Sequence, residues 1–171
     1  VREELRKGAT QIKVFVSGGV ISPSDPIWMN QMTDEEIGAA VAEASTRKTY
    51  VMAHAHTTDA VLRCVRTGIR SIEHATILTM LVEHGKDYGL TSVQIDKAKE
   101  VDVHALKSLD LLQAAGANIG FGTDLLGEMM HHQSREFSLR REVMSPLEIL
   151  KSATSVNAAL LRQRGSLGTI A

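Results

Sequence analysis

The sequence predicts an α/β protein built on a parallel sheet, and three observations carry that expectation. Short apolar runs alternate with longer amphipathic stretches, the pattern of successive β/α units. Capping and stop signals stand where each amphipathic stretch begins or ends, as at Thr33–Glu36 and Gly68. Lys13, His54, His74 and Asp124 all fall in or just after the short runs, three of them at strand ends. In parallel α/β folds that is where functional groups gather.

The elements follow in order. Val1 to Lys7 is charged and helix-like. Gln11 to Val16 is rich in β-branched and aromatic residues and closes on Ser17-Gly18-Gly19, so it reads as a strand. A loop punctuated by Pro23 and Pro26 follows. Thr33-Asp34-Glu35-Glu36 forms a capping box for a helix carrying Ile37, Val41 and Ala44 and running to about Arg47. Tyr50 to His54 is the second strand, Asp59 to Thr67 the next helix with Gly68 as its stop, and Ile69 to Glu73 the third strand. The rhythm breaks at Ala75. Thr76 to Leu81 has strand-like residues, yet parallel neighbours need a crossover of about a dozen residues and none separates it from His74. It reads as the loop leaving the third strand, or as a place where chain is missing. Residues 91 to 114 read as helix, Asn118 to Gly122 as a small-residue strand, and Ser145-Pro146 as a helix start with serine as cap.

Composition narrows the function classes. The chain has 171 residues, whereas a closed eight-fold β/α barrel takes about 250. A net charge of −1 gives no footprint for nucleic acid or an anionic membrane. No apolar run approaches the ~18 residues of a membrane span. The single cysteine, Cys64, excludes an internal disulfide framework, and the charged first residues do not read as a signal peptide. Both features point to the cytoplasm.

Each candidate site residue has a bland reading beside its functional one. A strand lysine usually reaches solvent at an edge; Lys13 sits in an otherwise apolar strand, where burial would demand a partner, a lowered pKa or covalent modification. His54 and His56 are two apart on one strand, so they share a face at ~6.6 Å spacing, and as an isolated pair one reads as a core histidine. His74 poses the same choice. Asp124, after Gly122-Thr123, also reads as a helix N-cap. Taken together, histidines, a carboxylate and a lysine make a nitrogen-and-oxygen metal site suited to Zn²⁺ with an open position. A metal lowers the pKa of bound water to about 7, and Asp124 is the residue to accept its proton and return it to a leaving amine. Other signals are weaker. Ser45-Thr46-Arg47-Lys48 matches S-x-x-K without its companion motifs, Ser17-Gly18-Gly19 lacks a full phosphate-loop pattern, and His84, His104, His131 and His132 read as surface histidines.

These motifs resemble the amidohydrolase superfamily, in particular its prolidase-like and imidazolonepropionase-related branch. The residues that carry the resemblance are Ile12-Lys13-Val14 through Ser17-Gly18-Gly19, Ala53-His54-Ala55-His56, Ile72-Glu73-His74 and Phe121-Gly122-Thr123-Asp124. The resemblance implies a partial (β/α)8 TIM barrel over residues 1–171 that corresponds to strands 4–8, without strands 1–3 and the β-sandwich domain. It implies that Lys13 is carboxylated by CO₂ to bridge two metals, and that His54 and His74 bind the second metal. Asp124 becomes a ligand of the first metal and the general base, and His56 a residue for substrate binding or for support behind the ligands. The implied reaction is hydrolysis of an amide bond in a small-molecule substrate, an Xaa-Pro or Xaa-Arg dipeptide or an N-acyl amino acid. The chain also departs from its relatives. The His-x-His pair that holds their first metal has no counterpart, and about twenty residues, a helix and a strand by length, are missing near positions 75–76. Met80 stands where prolidase-like relatives carry a tyrosine. A five-stranded piece leaves open edges and an exposed inner face, so homo-oligomerisation is expected. A non-catalytic, self-associating domain binding at most one metal is the alternative, and a metal-free binding module is the third reading.

Overall fold

The computed structural model describes residues 1–73, 76–114, 116 and 119–169, in two compact units, Val1–Glu73 and His74–Ala171. In the first unit a short helix α1 (Arg2–Arg6) leads into strand β1 (Ile12–Phe15). Helix α2 (Asp34–Thr46), strand β2 (Val51–His54), helix α3 (Thr58–Thr67) and strand β3 (Ser71–Glu73) follow. The sheet is parallel, in the order β1-β2-β3, with Phe15 opposite His54 and His54 opposite Glu73.

The capping box that opens α2 forms as its sequence predicts. The Thr33 oxygen accepts from the Glu36 amide, and Glu36 accepts from the Thr33 amide at 2.8 Å. Helix α3 is capped by Thr57 and stops at Gly68, whose φ of 84° is the left-handed conformation glycine takes without strain. A buried guanidinium ties the two helices: Arg63 of α3 donates to Asp34 and to the Met32 carbonyl.

Successive strand residues face opposite sides of a sheet, and in the first unit one side is covered. Ile12, Val51 and Ala53 are buried against Ala40 and Ala44 of α2 and against Ile37, Ala60 and Cys64. The other face carries Lys13, Phe15, Met52 and His54. There Lys13 and Phe15 are exposed, and Met52 is half-buried.

The second unit is mostly helical among its described residues. Helix α4 (Thr76–His84) packs on helix α5 (Ser92–Ala114). A 3-10 helix (Gly127–His132), helix α6 (Arg135–Arg140), helix α7 (Pro146–Lys151), a π-helical turn (Ser152–Val156) and helix α8 (Asn157–Leu160) follow. Ser145 and Glu148 form a second capping box at the predicted start of α7.

Two sequence expectations are corrected here. Thr76 to Leu81 is neither strand nor loop but the body of α4. Ile77, Leu78, Met80 and Leu81 are all buried, and Thr79 donates to Asp102 of α5 at 2.7 Å. A helix buried on most sides lacks the polar stripe that would identify it, and so reads as an apolar run. The predicted strand over Asn118–Gly122 does not form among the described residues 119–122, which belong to no regular element. No helix among the described residues is long and apolar enough to cross a membrane.

Candidate functional site

Strand β1 presents Lys13 and strand β2 presents His54 on the same face of the sheet. The parallel register sets Lys13 opposite Met52 and Phe15 opposite His54, so Lys13 and His54 are diagonal neighbours. Lys13 is exposed, which corrects the expectation of a buried ammonium. The other three residues of β1 are apolar, but its alternation turns Lys13 and Phe15 away from the side covered by helices.

His54 is buried at the C-terminal end of β2. Its ring lies against the Phe15 ring (centroids 4.8 Å apart) and edge-on to His56 (4.2 Å), and Nε2 is 3.4 Å from the Gly18 carbonyl oxygen. His56 lies just beyond the strand, half-buried. Its amide donates to the Ser17 hydroxyl at 2.9 Å, and that hydroxyl donates to the Gly18 carbonyl at 3.2 Å. Ser17 is thus a buried tie between the two βα loops. It went unassigned in the sequence, where Ser17-Gly18-Gly19 signals only a tight turn. The turn is tight indeed: a Cβ on Gly18 would meet the Pro26 oxygen at 1.9 Å, and the Gly18 amide already donates to the Met29 carbonyl. With that amide engaged, the loop is not an open anion cradle.

His74 lies outside the described residues. Asp124 lies in the second unit, is exposed, and holds a φ of 52°. The bland reading of Asp124 as an N-cap does not hold, because the following 3-10 helix is capped at Leu126 and has no side-chain cap. Within the second unit the segment before Asp124 is gripped. The Asn157 side chain accepts from the Phe121 amide at 2.9 Å and donates to the Phe121 carbonyl at 2.8 Å. Arg140 donates to the Gly120 carbonyl at 2.8 Å. Neither residue carried a sequence signal, since each acts at a separation of twenty residues or more.

The histidines read as surface residues are exposed or half-exposed, and three of them cluster. His84 stacks on His132 with centroids 5.6 Å apart and nearly parallel planes, and the His131 ring is 3.8 Å from that of His132. Loss of solvent, then His131, His84 and Arg135, hold the His132 imidazole below its ordinary range. Among the described residues no three histidine, cysteine, aspartate or glutamate side chains converge as a metal-binding group. On the first unit's open face the His54 imidazole is a suitable metal donor, whereas Lys13, diagonal to it on the adjacent strand, is an ammonium without a lone pair and would become a donor only once carboxylated.

Comparison with known proteins shows what this geometry resembles. Residues 1–81 match the model of the Amidohydrolase family. A crystal structure of a prolidase complexed with N-methylphosphonate-L-proline superposes with a TM-score of 0.90 at 43% identity, covering 99% of this chain and 47% of that one. A Xaa-Pro dipeptidase with bound methionine in its active site gives a TM-score of 0.83 at 28% identity, covering 100% and 48%. Ochratoxinase of Aspergillus niger is 31% identical over 181 residues, covering 94% of this chain and 38% of that protein. The fold is therefore the α/β fold of metal-dependent hydrolases. Within that class the chain is similar to the amidohydrolases, on their prolidase-like side. It spans less than half the length of these relatives.

Proposed function

We propose that the chain contributes the strand 4 to strand 8 portion of a metal-dependent amidohydrolase that cleaves the amide bond of Xaa-Pro-type dipeptides or N-acyl amino acids. The observation that carries this reading is the shared open face of β1 and β2. Lys13 and His54 project there side by side, opposite the face packed on helices. A barrel accounts for the difference between the faces, because its helices cover the outside of the sheet and the strands' other face lines the interior. The 43% identity to a prolidase supports the substrate class. The 181-residue match takes up only 94% of this 171-residue chain, so about twenty of its positions have no counterpart here. That agrees with a deletion near positions 75–76, where one compact unit also gives way to the next.

In this reading Lys13, as its carbamate, His54 and His74 would hold a divalent metal, zinc by the donor preference. The amidohydrolase family is generally metal-dependent, and such a metal supplies Lewis-acid activation of water and carbonyl. Asp124 takes one proton from the attacking water as the new C–O bond forms. It then delivers that proton to the amide nitrogen as the C–N bond breaks; water's second proton passes from the new carboxyl group to the free amine, leaving a carboxylate and an ammonium. His56, held through its amide by Ser17, lies beside His54 to orient substrate or ligand.

The test is metal content and turnover together, on the purified chain supplied with Zn²⁺ and bicarbonate. Hydrolysis of an Xaa-Pro dipeptide that D124N abolishes, with metal bound through Lys13, supports the enzyme. At most one metal per chain with no turnover favours the second reading, a self-associating remnant. A chain that binds no metal, and whose K13A and H54A variants behave like it, sinks both.

A further inference from the structure

We infer that Asn157, assisted by the buried Glu136–Arg140 pair, is a positioning residue that fixes the backbone leading into Asp124. The inference rests on the reading of Asp124 as the general base.

Residues 119–124 belong to no strand, so no sheet ladder holds them. Asn157 replaces the ladder. Its side-chain amide pairs with both the N–H and the C=O of Phe121, at 2.9 and 2.8 Å, as a neighbouring strand would. The close approach depends on Gly120, where a Cβ would stand 2.9 Å from Asn157 Oδ1 and 2.6 Å from Leu160 Cδ1. Arg140 secures the preceding peptide, donating to the Gly120 carbonyl at 2.8 Å with its guanidinium 4.9 Å from the Phe121 ring centre. Glu136, fully buried, accepts from Arg140 Nε and so holds the guanidinium in place. The Phe121 ring in turn packs on Phe137, centroids 4.4 Å apart. Three residues beyond Phe121, Asp124 sits at a φ of 52°, in the left-handed region that aspartate tolerates better than most residues other than glycine. The π-helical turn Ser152–Val156 ends at Asn157. Such turns change the phase of the residues that follow and recur at functional sites. A residue serving only to anchor α8 needs one hydrogen bond; a two-point grip on a bare segment three residues before Asp124 limits where its carboxylate can go.

The experiment compares wild type with N157A and N157D by backbone hydrogen exchange, thermal unfolding and dipeptide kinetics. N157D keeps an acceptor for the Phe121 amide and, when ionised, loses the donor to its carbonyl. The expected result is loss of exchange protection at the Phe121 amide in N157A and retention in N157D, with the rest of the second unit still protected. Where wild type turns over, kcat of N157A falls about 100-fold, the scale of a small misplacement of a reacting group, while KM stays within a few-fold and N157D is intermediate. Unchanged protection at Phe121 in a folded N157A overturns the inference. So does a loss of activity that only follows the unfolded fraction. If wild type shows no turnover, or D124N retains it, the proposed function fails; the exchange comparison then still decides whether Asn157 holds the segment.

Discussion

Cys64 shows how far one residue's chemistry is set by its surroundings. It lies on the inner side of α3 with no exposed surface, packed with Val16, Ile37, Ala53 and Ala60. Burial pushes its thiol up to about 11, with Arg63 acting weakly the other way. Since the thiolate is the nucleophile, Cys64 in the native chain should resist a disulfide reagent at pH 8 and react fully in urea. Rapid labelling of the folded chain would contradict this. His132 gives the second prediction at this scale. Its imidazole is held below the ordinary value of 6.5 by partial desolvation, His131, His84 and Arg135, against a smaller opposing pull from Glu83. The folded chain thus binds this proton less readily than the unfolded one. The associated stability is complete above pH 6.5 and falls as the pH drops below it. Between pH 7.5 and 5.5 the urea midpoint of wild type should fall further than that of H132Q. Equal losses would rule the ring stack out as the cause.

At the level of elements, local signals and tertiary fit make separable contributions. The capping boxes at Thr33–Glu36 and Ser145–Glu148 satisfy helix N–H groups within one turn. T33A should therefore cost about 1 kcal/mol, a typical cap loss. Gly18 is different, because an added Cβ would overlap the Pro26 backbone oxygen, which cannot step aside as a side chain can. G18A should cost about 3 kcal/mol, the upper range for overpacking. It should also disturb the Ser17–His56 tie. Urea unfolding of the two variants orders the effects, and a G18A variant milder than T33A would refute that order. The elements that were legible in sequence, α1 through β3, α5 and the start of α7, are those marked by an apolar period or by a cap or stop. Helix α4 was not, because its apolar faces are matched to α5 rather than displayed as a stripe. Residues 119–124 were not, because their hydrogen bonds come from Asn157 and Arg140.

For the whole chain, the decisive feature is the unequal treatment of the sheet's two faces. One is packed on α2 and α3, while on the other Phe15 remains 57% exposed; Trp28, in the loop after β1, is 73% exposed. Exposed apolar surface of this kind favours association. Sedimentation should detect self-association of wild type at micromolar concentration and a shift toward monomer in F15K. A monomeric wild type would remove the proposed homo-oligomer.

The sequence by itself determined the β/α order of the first unit, its caps and stops, the family it resembles, and the residues Lys13, His54 and Asp124 as those worth testing. These are written in spacing and in turn chemistry, which act over a few residues. Tertiary structure alone decided that Lys13 lies with His54 on the face not covered by helices, that Thr76–Leu81 is helical, and that Asp124 follows a segment without a strand. Each of these depends on which partner a group meets across tens of residues, and a linear pattern does not carry that information.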